Sequence, residues 1–394
     1  MRQVLTGRIS PLDEGHKETN AFKKQFHKSL RYASISTNVR IYVESPFCCG
    51  TTQQKGDFYM LRKFMYFVVS VILLLIFTAC GQQSEATVNH TRTITDQMGR
   101  EVAIPEGPLT LGMSRRTVIF LTINAGALDN IISVGGFATG SLLDYAAPSL
   151  RENATATGLN ANVNIEELAN VNPDVFLVSI GDAHAILERI DMLGIPTVVI
   201  DPEDFDKILE TMRIIGYLAG TEDHVEAVID IFNANMDLVN ERVAMAQRSP
   251  TAIVLGTSPL LVHPPSMLQT HLIEVAGAVN LASELEGNFY VEVNIEEILA
   301  WNPEYIFITS FGALQPEDIL TDPRFAQIEA VVNGNVFKFP SSLDWWDTPS
   351  AAVSLGVMWA AHIMHPELIA IEELDNAVAT LYNLTFGIDF DWHR

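Results

Sequence analysis

NIEELANVNPDVFLVS occupies Asn164–Ser179, and NIEEILAWNPEYIFITS occupies Asn294–Ser310. Asn-Ile-Glu-Glu and the following Asn-Pro recur at an offset of 130 residues. Each copy reads in the same way. An Asn opens a short helix, acids sit in its first turn where the helix dipole favours them, and a Pro stops it. The apolar run that follows is strand-length and reads as a buried strand. Two copies of one unit predict two similar α/β lobes.

The surroundings of each copy fit a lobe. Before the first copy, Leu109–Ser114 reads as a buried strand, "RTVIFLTINAGA" as a helix ending at Gly126, and Ile131–Phe137 as a second strand. After it, "AHAILERIDMLG" reads as a helix closed by Gly194, and "PTVVID" as a strand. "ITDQMGREVAIP" (Ile94–Pro105) has turn chemistry at Asp96 and Gly99 and predicts a small hairpin. Around the second copy, "TAIVLG" and "VFKFPSS" read as strands, and "THLIEVAGA" and "AAVSLGVMWAAHIMH" as helices. Strands alternating with helices of this length imply parallel sheets with crossover helices.

Between the lobes the pattern changes. Thr221–Gln247 carries no strand signal, and Val225, Ile229, Phe232, Met236, Val239 and Val243 fall at helical spacing. Thr221 is placed to cap this helix, with Glu222 and Asp223 in its first turn. The expected fold is therefore α/β, with two Rossmann-like lobes built on parallel sheets and joined by a single long α-helix.

The front of the chain differs from the rest. Residues 1–59 are net basic and show no sustained period, so they read as an over-extended gene start or a disordered extension. Residues 60–80 have a basic start at Arg62 and Lys63, a sixteen-residue apolar run from Phe64 to Ala79, and Cys80. A spanning helix needs about 20 apolar residues, so this run reads as a secretory signal. Phe77-Thr78-Ala79-Cys80-Gly81 resembles a bacterial lipoprotein cleavage box, which implies lipidation at Cys80. Residues 81–92 read as a tether, 93–220 as the N-terminal lobe, 221–248 as the linker helix, and 249–394 as the C-terminal lobe with closing helices.

Charge and cysteine use narrow the function. From residue 81 onward there are 13 Lys and Arg against 43 Asp and Glu. Nucleic-acid binding needs basic surface, so that class is excluded. Past Cys80 the chain has no cysteine, so its stability must come from a large packed core. No G-x-S-x-G, H-E-x-x-H or phosphate-binding glycine loop is present, and no enzyme activity is expected.

Together the cleavage box, "TDQMGREVAIP", "NIEELANVNPDVFLV", the long central helix, "THLIEVAGAVNLA" and "LGVMWAAHIMHPE" resemble a known family in their order. It is the periplasmic-binding-protein family that serves importers of iron-siderophore, haem, cobalamin and related ligands. The resemblance spans Thr93–Glu367. It implies a monomeric, extracytoplasmic, membrane-anchored protein that holds a metal chelate between its lobes. Delivery would be to an ABC permease and its ATPase, with only modest lobe closure. It also implies that Glu166 and Glu296 dock onto the permease, with Glu167 and Glu297 able to share the role. The same acids serve helix capping under either reading.

Ligands of open α/β sheets bind beyond the carboxyl ends of strands. That rule selects Ser114, Arg115, Arg116, Tyr145, Ser179 and Asp182 in the first lobe. In the second it selects His263, Ser266, Met267, Ser310 and Phe311. An Arg at such a place either holds an anion bidentately or starts a helix. "LDWWDTPSA" places Trp345 and Trp346 after a strand, and one of the two is expected to form a flat wall for a planar ligand. Asp347 either touches ligand or caps the next helix. His362 and His365 stand three apart without a third metal donor nearby, so they read as structural and no metal site or cofactor is expected. Molybdate or tungstate binding, a zinc or manganese carrier, and a ligand sensor without transport are the rival readings.

Overall fold

Thr91–Thr95 (β1) and Glu101–Pro105 (β2) form the expected hairpin. Asp96 builds its turn by accepting from the amides of Met98 and Arg100. Its other oxygen accepts from Arg100 Nε and from the amide of Val199, which ties the hairpin to the first sheet. The structure is a computed structural model and describes residues 65, 91–136, 145–287, 289–341 and 343–393. The extension at 1–59, Cys80, and all but Met65 of the 60–80 signal lie outside the described residues, as does the tether up to residue 90. The elements below all belong to the compact unit Glu85–Arg394.

The N-terminal lobe runs Leu111–Met113 (β3), Arg116–Asn124 (α1), Ile131–Val134 (β4), Ser149–Asn153 (α2), Thr155–Ala156 (β5), Ile165–Val171 (α3) and Val175–Ser179 (β6). Ile180–Asp191 (α4), Thr197–Ile200 (β7) and Phe205–Ala219 (α5) complete it. Its five strands are all parallel, in the order β5-β4-β3-β6-β7. Chain direction across the sheet reverses at β3, so the β3–β6 boundary is the switch point where ligands of such sheets bind. Repeat copy one supplies α3 and β6. Asn164 caps α3 by accepting from the amides of Glu166 and Glu167, and Asn172 ends it in the left-handed region.

Glu222–Val243 (α6) is the long connecting helix, shorter than Thr221–Gln247. Its 22 residues reach about 33 Å at 1.5 Å each. Val225, Ile229, Phe232 and Val239 are buried as the spacing predicts, and Met236 and Val243 are partly so. Thr221 stands at the cap position, but its hydroxyl donates to the carbonyl of Ala125 instead, at 2.6 Å.

The C-terminal lobe runs Thr251–Leu255 (β8), Leu261–Val262 (β9), Leu268–Val275 (α7), Val279–Asn280 (β10), Val291–Glu292 (β11) and Ile295–Trp301 (α8). Tyr305–Ile308 (β12), Pro316–Leu320 (α9), Glu329–Asn333 (α10), Val336–Lys338 (β13), Val353–Met364 (α11) and Ile371–Phe386 (α12) follow. The sheet order is β11-β9-β8-β12-β13, with β10 also paired to β8. β8, β10, β12 and β13 are parallel, as expected. β9 and β11 are antiparallel, so one edge of this sheet departs from the purely parallel expectation. Asn294 and Asn302 stand at the two ends of α8 as their counterparts do on α3, but here Asn294 and Glu297 close a capping box.

One apolar core crosses both lobes and contains Leu111, Ile215, Phe232, Leu355 and Leu381. Smaller cores cover the far face of each sheet, around Phe176 and Ile186 in one lobe and Ile253 and Phe325 in the other. Helix α6 packs on α5, α11 and α12 and thereby joins the shared core. No helix among the described residues is long and apolar enough to cross a membrane.

Candidate functional site

The carboxyl ends of the central strands meet through Trp345. This residue follows β13, and its ring lies 6.1 Å from the ring of Phe120 and 6.0 Å from that of Phe311. The guanidinium of Arg116 lies 5.1 Å over the indole. Arg116 and Phe120 belong to α1 of the first lobe, while Phe311 follows β12 in the second. Trp345 therefore spans the space between the lobes. The aromatic series continues from Phe311 to Tyr290 at 6.5 Å and from Tyr290 to His263 at 4.8 Å. Tyr290 rests on the backbone end of β8, where a Cβ on Gly256 would come within 3.0 Å of its ring. Only glycine at that strand end lets the ring lie so low.

The other expected residues divide into groups. Ser114 and Ser310, at the ends of β3 and β12, are 1% and 5% exposed, and neither hydroxyl has a hydrogen-bond partner of ordinary geometry. Ser179 is buried at the end of β6, beside the same switch point. Arg116 is half-buried. Arg115 faces Asp182, donating from Nε at 2.5 Å and from Nη2 at 3.0 Å. Hydrogen bonding and the charge of Asp182 raise the pKa of Arg115, and Glu203 adds further negative charge. Arg115 thus bridges to Asp182 within its own lobe, whereas Arg116 lies over Trp345.

The Trp346 side chain is 2% exposed, its Nε1 donates to the Tyr382 hydroxyl at 2.7 Å, and its ring packs on Trp392 at 5.2 Å. Adjacent residues of this loop point opposite ways, one into the cleft and one under the loop. Ser266 is exposed and donates to the carbonyl of Gly287, and Met267 occupies the cap position of α7. Tyr145 is 64% exposed and has no ring contact with the aromatic series among the described residues. Glu166 and Glu296 are exposed in the first turns of α3 and α8.

Asp347 does not cap α11, whose cap position is Ala352. Its carboxylate is fully buried and accepts from Thr309 Oγ1 at 2.6 Å and from the Ser310 amide at 3.0 Å. Burial raises its pKa against the pull of hydrogen bonds from Ser310 and Thr309. Its second oxygen, Oδ1, is buried without a partner. The Asp347 carbonyl accepts from Gln269 Nε2 at 2.6 Å. Gln269 therefore turns its own carbonyl oxygen to His263 Nδ1, 3.1 Å away. That contact places the imidazole proton on Nδ1 and leaves Nε2 with a bare, buried lone pair. Burial lowers the His263 pKa to about 4, so the ring is neutral at pH 7. Burial, with the nearby charge of Asp347, pushes Tyr290 up to about 12.

The site thus offers a flat aromatic wall, one half-buried cation, neutral hydroxyls and a neutral imidazole acceptor. Among the described residues it has no paired nucleophile and base. Among the described residues no three His, Cys, Asp or Glu gather in a group able to hold a metal ion. Tyr290 and Gln269 escaped the sequence reading. Tyr290 lies in "EGNFYVEV", a piece too short and irregular to read as a strand-end loop, and Gln269 sits inside a helix.

The sequence pattern of the periplasmic binding protein family matches residues 114–343. The chain belongs to that family. It is a solute-binding protein of the kind that serves ABC importers, and the family implies an extracytoplasmic location. The molybdate-binding protein MolA of Haemophilus influenzae is 26% identical over 316 residues, covering 74% of this chain and 90% of MolA. The MolA structure with bound molybdate superposes with a TM-score of 0.67 at 23% identity, over 76% of this chain and 99% of that one. A vitamin B12-binding protein of Pectobacterium atrosepticum is 23% identical over 52% of this chain and 72% of its own length. The Ceue protein of Helicobacter pylori in a Ni-His complex shares the fold, with a TM-score of 0.65 at 21% identity over 76% of this chain and 96% of that one.

Proposed function

We propose that this protein captures an anionic metal chelate, an iron complex of a siderophore or haem first among them, between its lobes and hands it to an ABC permease. The observation that carries this reading is the set of contacts around Trp345. A flat indole under the guanidinium of Arg116, continued by Phe311 and Tyr290, suits a large ligand with planar faces and negative charge. Ser114, Ser179 and Ser310 supply polar contacts from the strand ends, with His263 as an acceptor. On this reading Glu166 and Glu296 meet basic pockets of the permease, one acid per lobe, and a lipid on Cys80 holds a monomer at the membrane.

A second reading is molybdate or tungstate. Its support is the two buried serines at strand ends, Ser114 after β3 and Ser310 after β12, together with the 26% identity to MolA. An oxyanion would use these and Arg116 and would leave the aromatic wall idle.

A thermal-stability screen against ferric siderophores, haem, cobalamin and molybdate separates the two. A ligand at about 100 times its Kd that binds only the folded state adds about 2.7 kcal/mol. Stabilisation by a chelate that is lost in Trp345→Ala supports the first reading. Stabilisation by molybdate alone, unaffected by Trp345→Ala, replaces it with the second.

A further inference from the structure

The residues after α12 fold back over the loop that carries Trp345. Gly387 takes a left-handed φ of 67° and turns the chain at the end of the helix. Three residues past that turn, Phe390 packs edge-on against Tyr382 at 5.4 Å. Trp392 then lies 5.2 Å from the ring of Trp346. Asp375, one turn into α12, pins this tail. Its Oδ1 accepts from Trp392 Nε1 at 2.8 Å and stands 2.9 Å from His393 Nε2.

Trp346 is thereby clamped from two sides. Tyr382 holds its N–H, and Trp392 covers its ring. Trp346 is the chain neighbour of Trp345, so a displacement of its backbone is passed to Trp345, because consecutive Cα atoms stay about 3.8 Å apart. Inside the loop, the amide of Trp345 donates to Asp344 Oδ1 at 2.7 Å, the Trp345 carbonyl accepts from the Thr348 hydroxyl at 3.2 Å, and the Trp346 amide donates to the carbonyl of Pro340 at 3.2 Å. Asp344 is itself buried beside the same clamp.

We propose that the C-terminal tail sets where Trp345 stands in the cleft, and that Trp392 is a positioning residue for ligand capture. Among the described residues the tail makes no ring or hydrogen-bond contact with Arg116 or Phe311. It acts through Trp346, fixing the loop from behind so that the next indole projects between the lobes at one depth and angle. The role of Trp345 at the ligand rests on the proposed function. The positioning of Trp345 by the tail stands apart from it and is tested without ligand.

The test is the indole N–H resonance of Trp345 in a proton–nitrogen correlation spectrum of the protein, assigned by its loss in Trp345→Phe. Trp392→Ala is expected to move that resonance and to raise the access of iodide to Trp345. Trp392→Phe keeps an aromatic cover and is expected to restore both. Should Trp392→Ala fail to fold, Asp375→Ala frees the tail without opening the core and is read in the same way. A Trp345 resonance that stays in place while the Trp346 resonance moves overturns the proposal. Haem titration then reports on the cleft. Affinity weakened tenfold or more in Trp392→Ala, and recovered in Trp392→Phe, ties the tail to capture. Unchanged haem affinity with a displaced Trp345 overturns the part of the proposal that gives Trp392 a role in capture. Absence of haem binding in the unaltered protein counts against the proposed function, while the Trp345 resonance still decides whether the tail positions that ring.

Discussion

Asp182 accepts twice from Arg115, at 2.5 Å and 3.0 Å, and so keeps that guanidinium inside its own lobe. The next residue, Arg116, carries its charge to Trp345 of the other lobe. Two adjacent arginines thus have different work. Arg116→Ala is expected to weaken ligand binding about tenfold or more, the loss of one charge-assisted contact, with little change in melting temperature. Arg115→Ala leaves Asp182 buried without its partner and is expected to cost about 2 kcal/mol, since Arg115 is itself partly solvated. Urea melts and titrations of both variants check the division.

The tryptophan pair divides in a similar way. Trp346→Ala empties a buried site and is expected to cost about 3–5 kcal/mol. Trp345→Ala removes a half-buried ring with one cation–π contact and is expected to cost about 1 kcal/mol. Ligand affinity should fall in the Trp345 variant at temperatures where both proteins are folded.

Gly356 on α11 has no room for a side chain. A Cβ there would lie 2.0 Å from the carbonyl oxygen of Trp346. Gly356→Ala is expected to push the loop outward at a cost of about 1–3 kcal/mol and to alter the near-ultraviolet dichroism of the tryptophans. A variant with an unchanged spectrum and melt would contradict this close approach.

Asp344 gives stability a pH dependence with a definite sign. Burial raises its pKa from 3.8 to about 7, so the folded state favours the neutral acid. Its contribution is complete below about pH 4 and is lost as pH rises toward about 7. Taken at full value the displacement corresponds to on the order of 4 kcal/mol. Asp344→Asn should remove this loss. Its stability relative to the unaltered protein should therefore improve between about pH 4 and pH 7 and level off above, as read by chemical denaturation.

The first turns of the two repeated helices are not equivalent. Glu297 closes a capping box by accepting from the Asn294 amide at 2.8 Å, while Glu296 is exposed beside it. Glu166→Ala and Glu296→Ala are expected to lower uptake while leaving ligand affinity intact. Glu297→Ala should instead cost about 1 kcal/mol of stability through the lost cap. Transport into cells and ligand titration, measured side by side, distinguish these effects.

Much of the fold could be read from the chain because its signals are local. Asn164 and Asn294 open helices, Pro173 and Pro303 follow their ends, and the spacing from Val225 to Val243 marks α6. The antiparallel β9 and β11 were missed because two residues carry no period. Helix α5 went unread, although Asp204 caps it and Gly220 ends it in the left-handed region. At the site, strand-end position located Ser114, Arg116, Ser310 and Trp345. Nothing local distinguishes Arg115 from Arg116 or Trp345 from Trp346. Asp182 and Tyr382, distant in sequence, decide those pairs.

Leu111 and Ile215 of the first lobe and Leu355 and Leu381 of the second belong to one continuous apolar core, with Phe232 of α6 among them. Heat therefore cannot melt one lobe and spare the other, because exposing either strips the opposite half of its cover. The two lobes should unfold in a single cooperative transition, with calorimetric and van't Hoff enthalpies in agreement. A resemblance between halves that is plain in sequence thus has no counterpart in thermodynamics, where the halves behave as one body.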